Sequence, residues 1–125
     1  MSIKSHKDLL VWQKAMSLAG DVDRFASRLP AHQRYALASQ LRRASSSIPF
    51  NIAEGWAQPI RVYIRHLLIA LGSEAELQSE LLHAANIAGT PHTEIEDLME
   101  RASEIGRMLR GLVRSLRAHL AKEER

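Results

Sequence analysis

Four stretches of this chain carry apolar residues at alternating spacings of three and four, and proline or glycine separates each from the next. Such spacing gives a helix one apolar stripe that must be buried against a neighbour. Four stripes in one short chain bury each other most simply as an antiparallel, up-down four-helix bundle. The first helix is expected over about 7–28, with Leu9, Trp12, Met16, Ala19, Val22 and Ala26 on its stripe. Ser5 and Asp8 suit its N-terminus, and Pro30 ends it. The second, over 32–55, carries Leu37, Leu41, Ala44, Ile48 and Ile52. Both flanks of Pro49 continue that stripe, which predicts one helix kinked at the proline and ending at Gly55 as a C-cap. The third, over 59–88, opens at Pro59 and carries Tyr63, Leu67, Ala70, Leu71, Leu77, Leu81 and Ala85. The fourth, over 93–121, has Thr93 and Glu96 at capping-box spacing. Ile95, Leu98, Ala102, Ile105, Leu109, Leu112, Leu116 and Leu120 form its stripe.

Composition supports this reading. Aromatic residues make up only 5% of the chain, and β-branched residues are few, which favours helix over strand. A length of 125 residues suits a single domain, residues 1–125. With no cysteine there is neither a thiolate metal site nor a cysteine nucleophile. The apolar runs are too short to span a bilayer and the N-terminus lacks a signal-peptide core, so no membrane role and a cytoplasmic location are expected. A formal charge of +3 permits an acidic partner without requiring one.

The densest pattern is Gln40-Leu41-Arg42-Arg43-Ala44, then Ser47-Ile48-Pro49, then Asn51-Ile52-Ala53-Glu54-Gly55. With Asp8-Leu9-Leu10-Val11-Trp12-Gln13-Lys14-Ala15, Ala70-Leu71-Gly72-Ser73 and Gly106-Arg107-Met108-Leu109, it resembles the 23S rRNA intervening-sequence protein family across nearly the whole chain. That resemblance implies a four-helix bundle assembling into homopentamers, with no enzymatic activity. It also implies an architecture similar to the accessory variability determinant proteins of diversity-generating retroelements, which bind a reverse transcriptase and nucleic acid. The stretch Trp56-Ala57-Gln58-Pro59-Ile60 departs from the polar or basic segment usual in the family at that point.

Two constellations stand out. Gln40, Arg43, Ser47, Asn51 and Glu54 share one face of the second helix, beside its apolar stripe, with Arg43 and Glu54 supplying opposite charges. Polar groups so placed need hydrogen-bond partners, which predicts a seam fixing helix register or a subunit contact. A ligand or RNA pocket is the other use of the same groups. Arg107, Arg110, Arg114 and Arg117 line one edge of the fourth helix, and guanidinium groups suit phosphate because their planar fork donates two parallel bonds. The same stripe also reads as a solvated face favoured by the helix dipole.

Glu80 and His83 have the helical Glu-x-x-His spacing of di-iron bundles, but only one copy occurs where such sites need two. Ser45, Ser46 and Ser47 have no recognisable base beside them and are expected to bond back to helix carbonyls. No metal, cofactor or catalytic residue is therefore expected. The expected function is a non-enzymatic, homo-oligomeric binding module contacting RNA or a ribonucleoprotein through the basic face. The alternative is a scaffold that binds only protein.

Overall fold

The computed structural model describes residues 3–124. Four helices form the molecule: α1 (Leu10–Ser27), α2 (Ser39–Trp56), α3 (Ile60–Ala85) and α4 (His92–Glu123). Each packs along its two neighbours, α1 on α2 and α4, α3 on α2 and α4, around a single core. Paired side chains run in opposite chain directions across the seams. Lys14 meets Glu104 and Arg28 meets Glu94 across α1 and α4. Ser47 meets Ser73 and Asn51 meets His66 across α2 and α3.

Two helices start later than the sequence predicts. The Ser5–Asp8 capping box is present, but it closes a separate 3-10 turn at His6–Asp8, and extended backbone at Leu9 divides that turn from α1. The segment expected to open α2 forms a 3-10 turn, Ala31–Gln33, and a π-helical turn, Arg34–Ala38. Pro49 lies inside α2, which continues through it to Trp56 as one helix.

At the same end of the bundle as the α1–α2 connection, α4 begins at His92 with no side-chain cap, so Thr93 and Glu96 form no capping box. The threonine that closes this turn is the buried Thr90, whose Oγ1 donates to the carbonyls of Ala84 and Ile87 at the end of α3. Gly89 supplies the left-handed backbone of the turn, with φ of +85°.

The α1 stripe also differs from expectation. Val11, Ala15, Leu18, Val22, Phe25 and Ala26 are buried, whereas Met16 is 41% exposed and Leu9 and Trp12 only flank the core. The spacing offered two overlapping stripes, and the one continuing to buried Leu29 is the one used. The stripes of α2 and α3, and that of α4 as far as Leu109, lie in the core as predicted, apart from the partly buried Leu71 and Ala85.

Gly55 does not cap α2. A Cβ there would lie 2.7 Å from Tyr63 Cδ1 and 2.8 Å from His66 Cβ, so the glycine allows α2 and α3 to approach closely where they meet.

Candidate nucleic-acid interface

The four seams of the bundle use different chemistry. Between α1 and α4 the seam is ionic: Lys14 Nζ lies 2.8 Å from Glu104, Arg101 lies 2.7 Å from Asp21, and Arg28 pairs with Glu94. The Asp21 and Glu104 carboxyls are held below the usual carboxylate range by hydrogen bonds from Arg24 and Arg101, and from Lys14, respectively. Between α1 and α2, Arg42 donates to Asp23 at 2.6 Å and to Ser27 Oγ at 2.9 Å.

The seam between α2 and α3 is a hydrogen-bond network, and it gathers part of the polar face predicted on α2. Asn51 Nδ2 donates to the Ser47 carbonyl at 2.9 Å and to Ser47 Oγ at 3.1 Å. Ser73 Oγ donates to Ser47 Oγ at 2.7 Å. With its amide nitrogen so committed, Asn51 Oδ1 accepts, which assigns the proton to His66 Nδ1 at 3.0 Å. Glu54 lies 3.8 Å from the same ring nitrogen.

Arg43 and Glu54 are not partners. Arg43 donates to Ser39 Oγ at 3.3 Å, and the carboxylate whose charge it offsets is Glu80 on α3. Gln40 is exposed at the far end of the face. The α3 half of the network, His66, Ser73 and Glu80, was not anticipated, although its spacing of seven places all three on one helix face.

Glu80 is buried, its Oε1 has no hydrogen-bond partner, and its carboxyl is pushed up to about 7. Burial is the main cause, followed by the hydrogen bond and charge of Glu76; Arg43 opposes them. His83 is exposed, and no group of three or more His, Asp or Glu among the described residues could hold a metal.

The seam between α3 and α4 changes character along its length. Near the α3 C-terminus, Gln78 Nε2 donates to the Met99 carbonyl at 2.9 Å and to Ser103 Oγ at 3.0 Å. One turn on, Gly106 makes room for the buried Glu74, whose Oε1 would lie 2.5 Å from a Cβ at that position. The Arg110 guanidinium borders the same space. Beyond it the seam opens into a groove of about 440 Å³ with an apolar floor of Leu68, Leu71 and Val113 and a rim of Arg110, Arg114 and Arg117.

The predicted stripe is thus divided. Three of its arginines line the groove, whereas Arg107 leans outward to Glu100 at 3.3 Å. Among the described residues, no carboxylate lies within ion-pair distance of Arg110, Arg114 or Arg117, while Arg24, Arg28, Arg42, Arg61, Arg101 and Arg107 all have one. Leaving three adjacent cations unpaired repels them from one another, and a bound anion would relieve that repulsion.

These features define an all-α helix-bundle protein with a carboxylate-free basic groove at one seam. The family model for the 23S rRNA-intervening sequence protein matches residues 7–111, and the chain belongs to that family. A search of curated proteins found no match. Among the described residues, no helix is long and apolar enough to cross a membrane.

Proposed function

We propose that the protein is a binding module that contacts RNA through the α3–α4 groove, with Arg110, Arg114 and Arg117 on phosphates. The observation carrying this reading is the run of three arginines without carboxylate partners, in a bundle that pairs most of its other arginines. Guanidinium groups there neutralise phosphates without reading bases, so specificity rests on RNA shape or on a protein partner. Arg107 plays a lesser part, because Glu100 already offsets its charge. The role is accessory and non-enzymatic, exercised in the cytoplasm.

The same reading includes self-association, with a pentamer as the form implied by the family. Its support is the exposed apolar surface: Phe50 is 58% exposed on α2, Ile69 and Leu82 are exposed on α3, and Tyr35 is 94% exposed. A ring would repeat the basic groove and steepen the salt dependence of binding.

The deciding experiment is a salt titration of RNA binding by the wild type and by the Arg110→Glu/Arg114→Glu variant. Wild-type affinity is expected to fall steeply with salt, and the variant to lose binding while keeping its helical circular dichroism. Unchanged affinity in the variant removes the groove from the RNA reading. A partner captured equally well after nuclease treatment, with no RNA bound, favours the protein-scaffold alternative.

A further inference from the structure

The groove is more than a row of cations. Its floor is apolar: Leu68 is 42% exposed there, beside Leu71 and Val113, and the rim belongs to arginines alone. A surface that only neutralises phosphates has no use for open apolar side chains, whose exposure to water is unfavourable. We propose that the groove seats an unpaired nucleotide of RNA, its base against Leu68, Leu71 and Val113 and its neighbouring phosphates on Arg110, Arg114 and Arg117. This rests on the RNA reading above and adds which form of RNA is bound.

Three properties of the groove select the unpaired form. Duplex RNA keeps its bases stacked inside and offers phosphates, 2′-hydroxyls and the edges of a shallow groove, none of which would cover an apolar floor. A splayed-out base presents an apolar face that does. The groove is also short. From Arg110 to Arg117 is seven residues, about 10.5 Å of helix, whereas domains that grip duplex RNA span about 16 base pairs.

Finally, the groove supplies its own stacking partners. Among the described residues no aromatic side chain lines it, but guanidinium planes also stack on bases, and three arginines line it. A protein helix is the poorer occupant, because six lining residues fall far short of the roughly 20–30 per side in a stable protein interface.

The mode of binding follows. The phosphates supply most of the affinity and its salt dependence, and the base supplies the preference for unpaired over paired RNA. Because every base has an apolar face, the preference is for strandedness rather than for a particular sequence. Leu68 is the residue that separates the two contributions. It is partly exposed on α3 outside the fully buried core, so shortening it changes the floor without removing a core side chain.

The test is fluorescence anisotropy with a labelled single-stranded RNA 12-mer and a blunt RNA duplex of the same length. The full-length protein is titrated at several salt concentrations. The wild type is expected to bind the single strand about tenfold more tightly than the duplex, as one stacked base implies. Leu68→Ser is expected to erase most of that preference and leave the salt slope unchanged. Arg114→Ala is expected to lower the single-strand slope by about 0.7, one phosphate's share, while keeping the preference.

Equal binding of duplex and single strand, or a full preference in Leu68→Ser, overturns the seated base while leaving phosphate binding in place. No binding of either RNA at low salt overturns the RNA reading itself and this inference with it.

Discussion

Replacing Glu80 with glutamine is expected to stabilise the protein by an amount that grows as pH rises from about 4.5 to 7. Glu80 lies 8% exposed on the α2–α3 seam with one carboxyl oxygen unpartnered. Burial, and then the carboxyl of Glu76, raise its pKa from 4.5 to about 7 against the weaker pull of Arg43. A carboxyl with a higher pKa folded than unfolded keeps its proton in the folded state at pH values where the unfolded chain has released it. The contribution is therefore fully favourable below about pH 4.5 and is lost as pH rises through 7. At 1.36 kcal/mol per pKa unit, a shift of this size corresponds to a loss of up to about 3 kcal/mol between pH 5 and 8.

Glutamine retains a donor for Glu76 and has no proton to lose. Urea unfolding of wild type and Glu80→Gln at pH 5, 6.5 and 8, at one fixed protein concentration, should give converging stabilities at pH 5. At pH 8 the variant should be more stable by about 1–3 kcal/mol. Parallel pH profiles would refute the reasoning, since they would place the seam's titration on another group.

Gly55→Ala forces a Cβ against Tyr63 and His66 and is expected to cost about 1–3 kcal/mol through overpacking. Gly111→Ala meets nothing within 4 Å and should instead gain up to about 1 kcal/mol from helix propensity; thermal unfolding of both variants distinguishes a packing glycine from a merely permissive one. Asn51→Ala strips hydrogen bonds from Ser47 and His66 and should cost about 1–3 kcal/mol in urea unfolding. Phe50→Asp places a charge on exposed apolar surface, so light scattering after gel filtration should show a shift toward monomer with helicity retained.

How far the sequence was legible depended on whether a feature was local to one helix. The stripes of α2 and α3, and of α4 as far as Leu109, were readable because burial repeats with the helical period, and nearly all of those residues lie in the core. The first half of the α1 stripe was not, because Leu9-Trp12-Met16-Ala19 and Val11-Ala15-Leu18-Val22 satisfy the same spacing and only the neighbours' positions choose between them, whereas Val22 and Ala26 lie in the core as expected. Capping signals had the same ambiguity: Ser5 and Asp8 cap a detached turn, and Thr90, three residues before the expected cap, does the bonding. The polar face of α2 was visible as spacing, but its partners His66, Ser73 and Glu80 lie on another helix. Arg43 faces Glu80, not Glu54, because three helical turns along α2 separate it from Glu54 and only one seam separates it from α3.

The basic groove shows why the missing part of a site is the part contributed across a seam. On α4 alone, Arg107, Arg110, Arg114 and Arg117 are equivalent, since all four occupy one edge at spacings of three and four. Packing against α3 separates them. Arg107 faces outward and finds Glu100, whereas the other three face a stretch of α3 that offers Leu68 and Leu71 and no carboxylate within ion-pair distance. Glu74, a buried acidic side chain of α3, is turned into the space left by Gly106, which the Arg110 guanidinium also borders. One glycine on α4 therefore lets α3 bury a carboxylate beside the Arg110 guanidinium, yet not within ion-pair distance of it. A Cβ at position 106 would displace Glu74 toward the groove, where it could neutralise Arg110. Gly106→Ala should then weaken RNA binding and flatten its salt dependence without touching any arginine, and an unchanged salt slope in that variant would show that Glu74 does not control the charge of the groove.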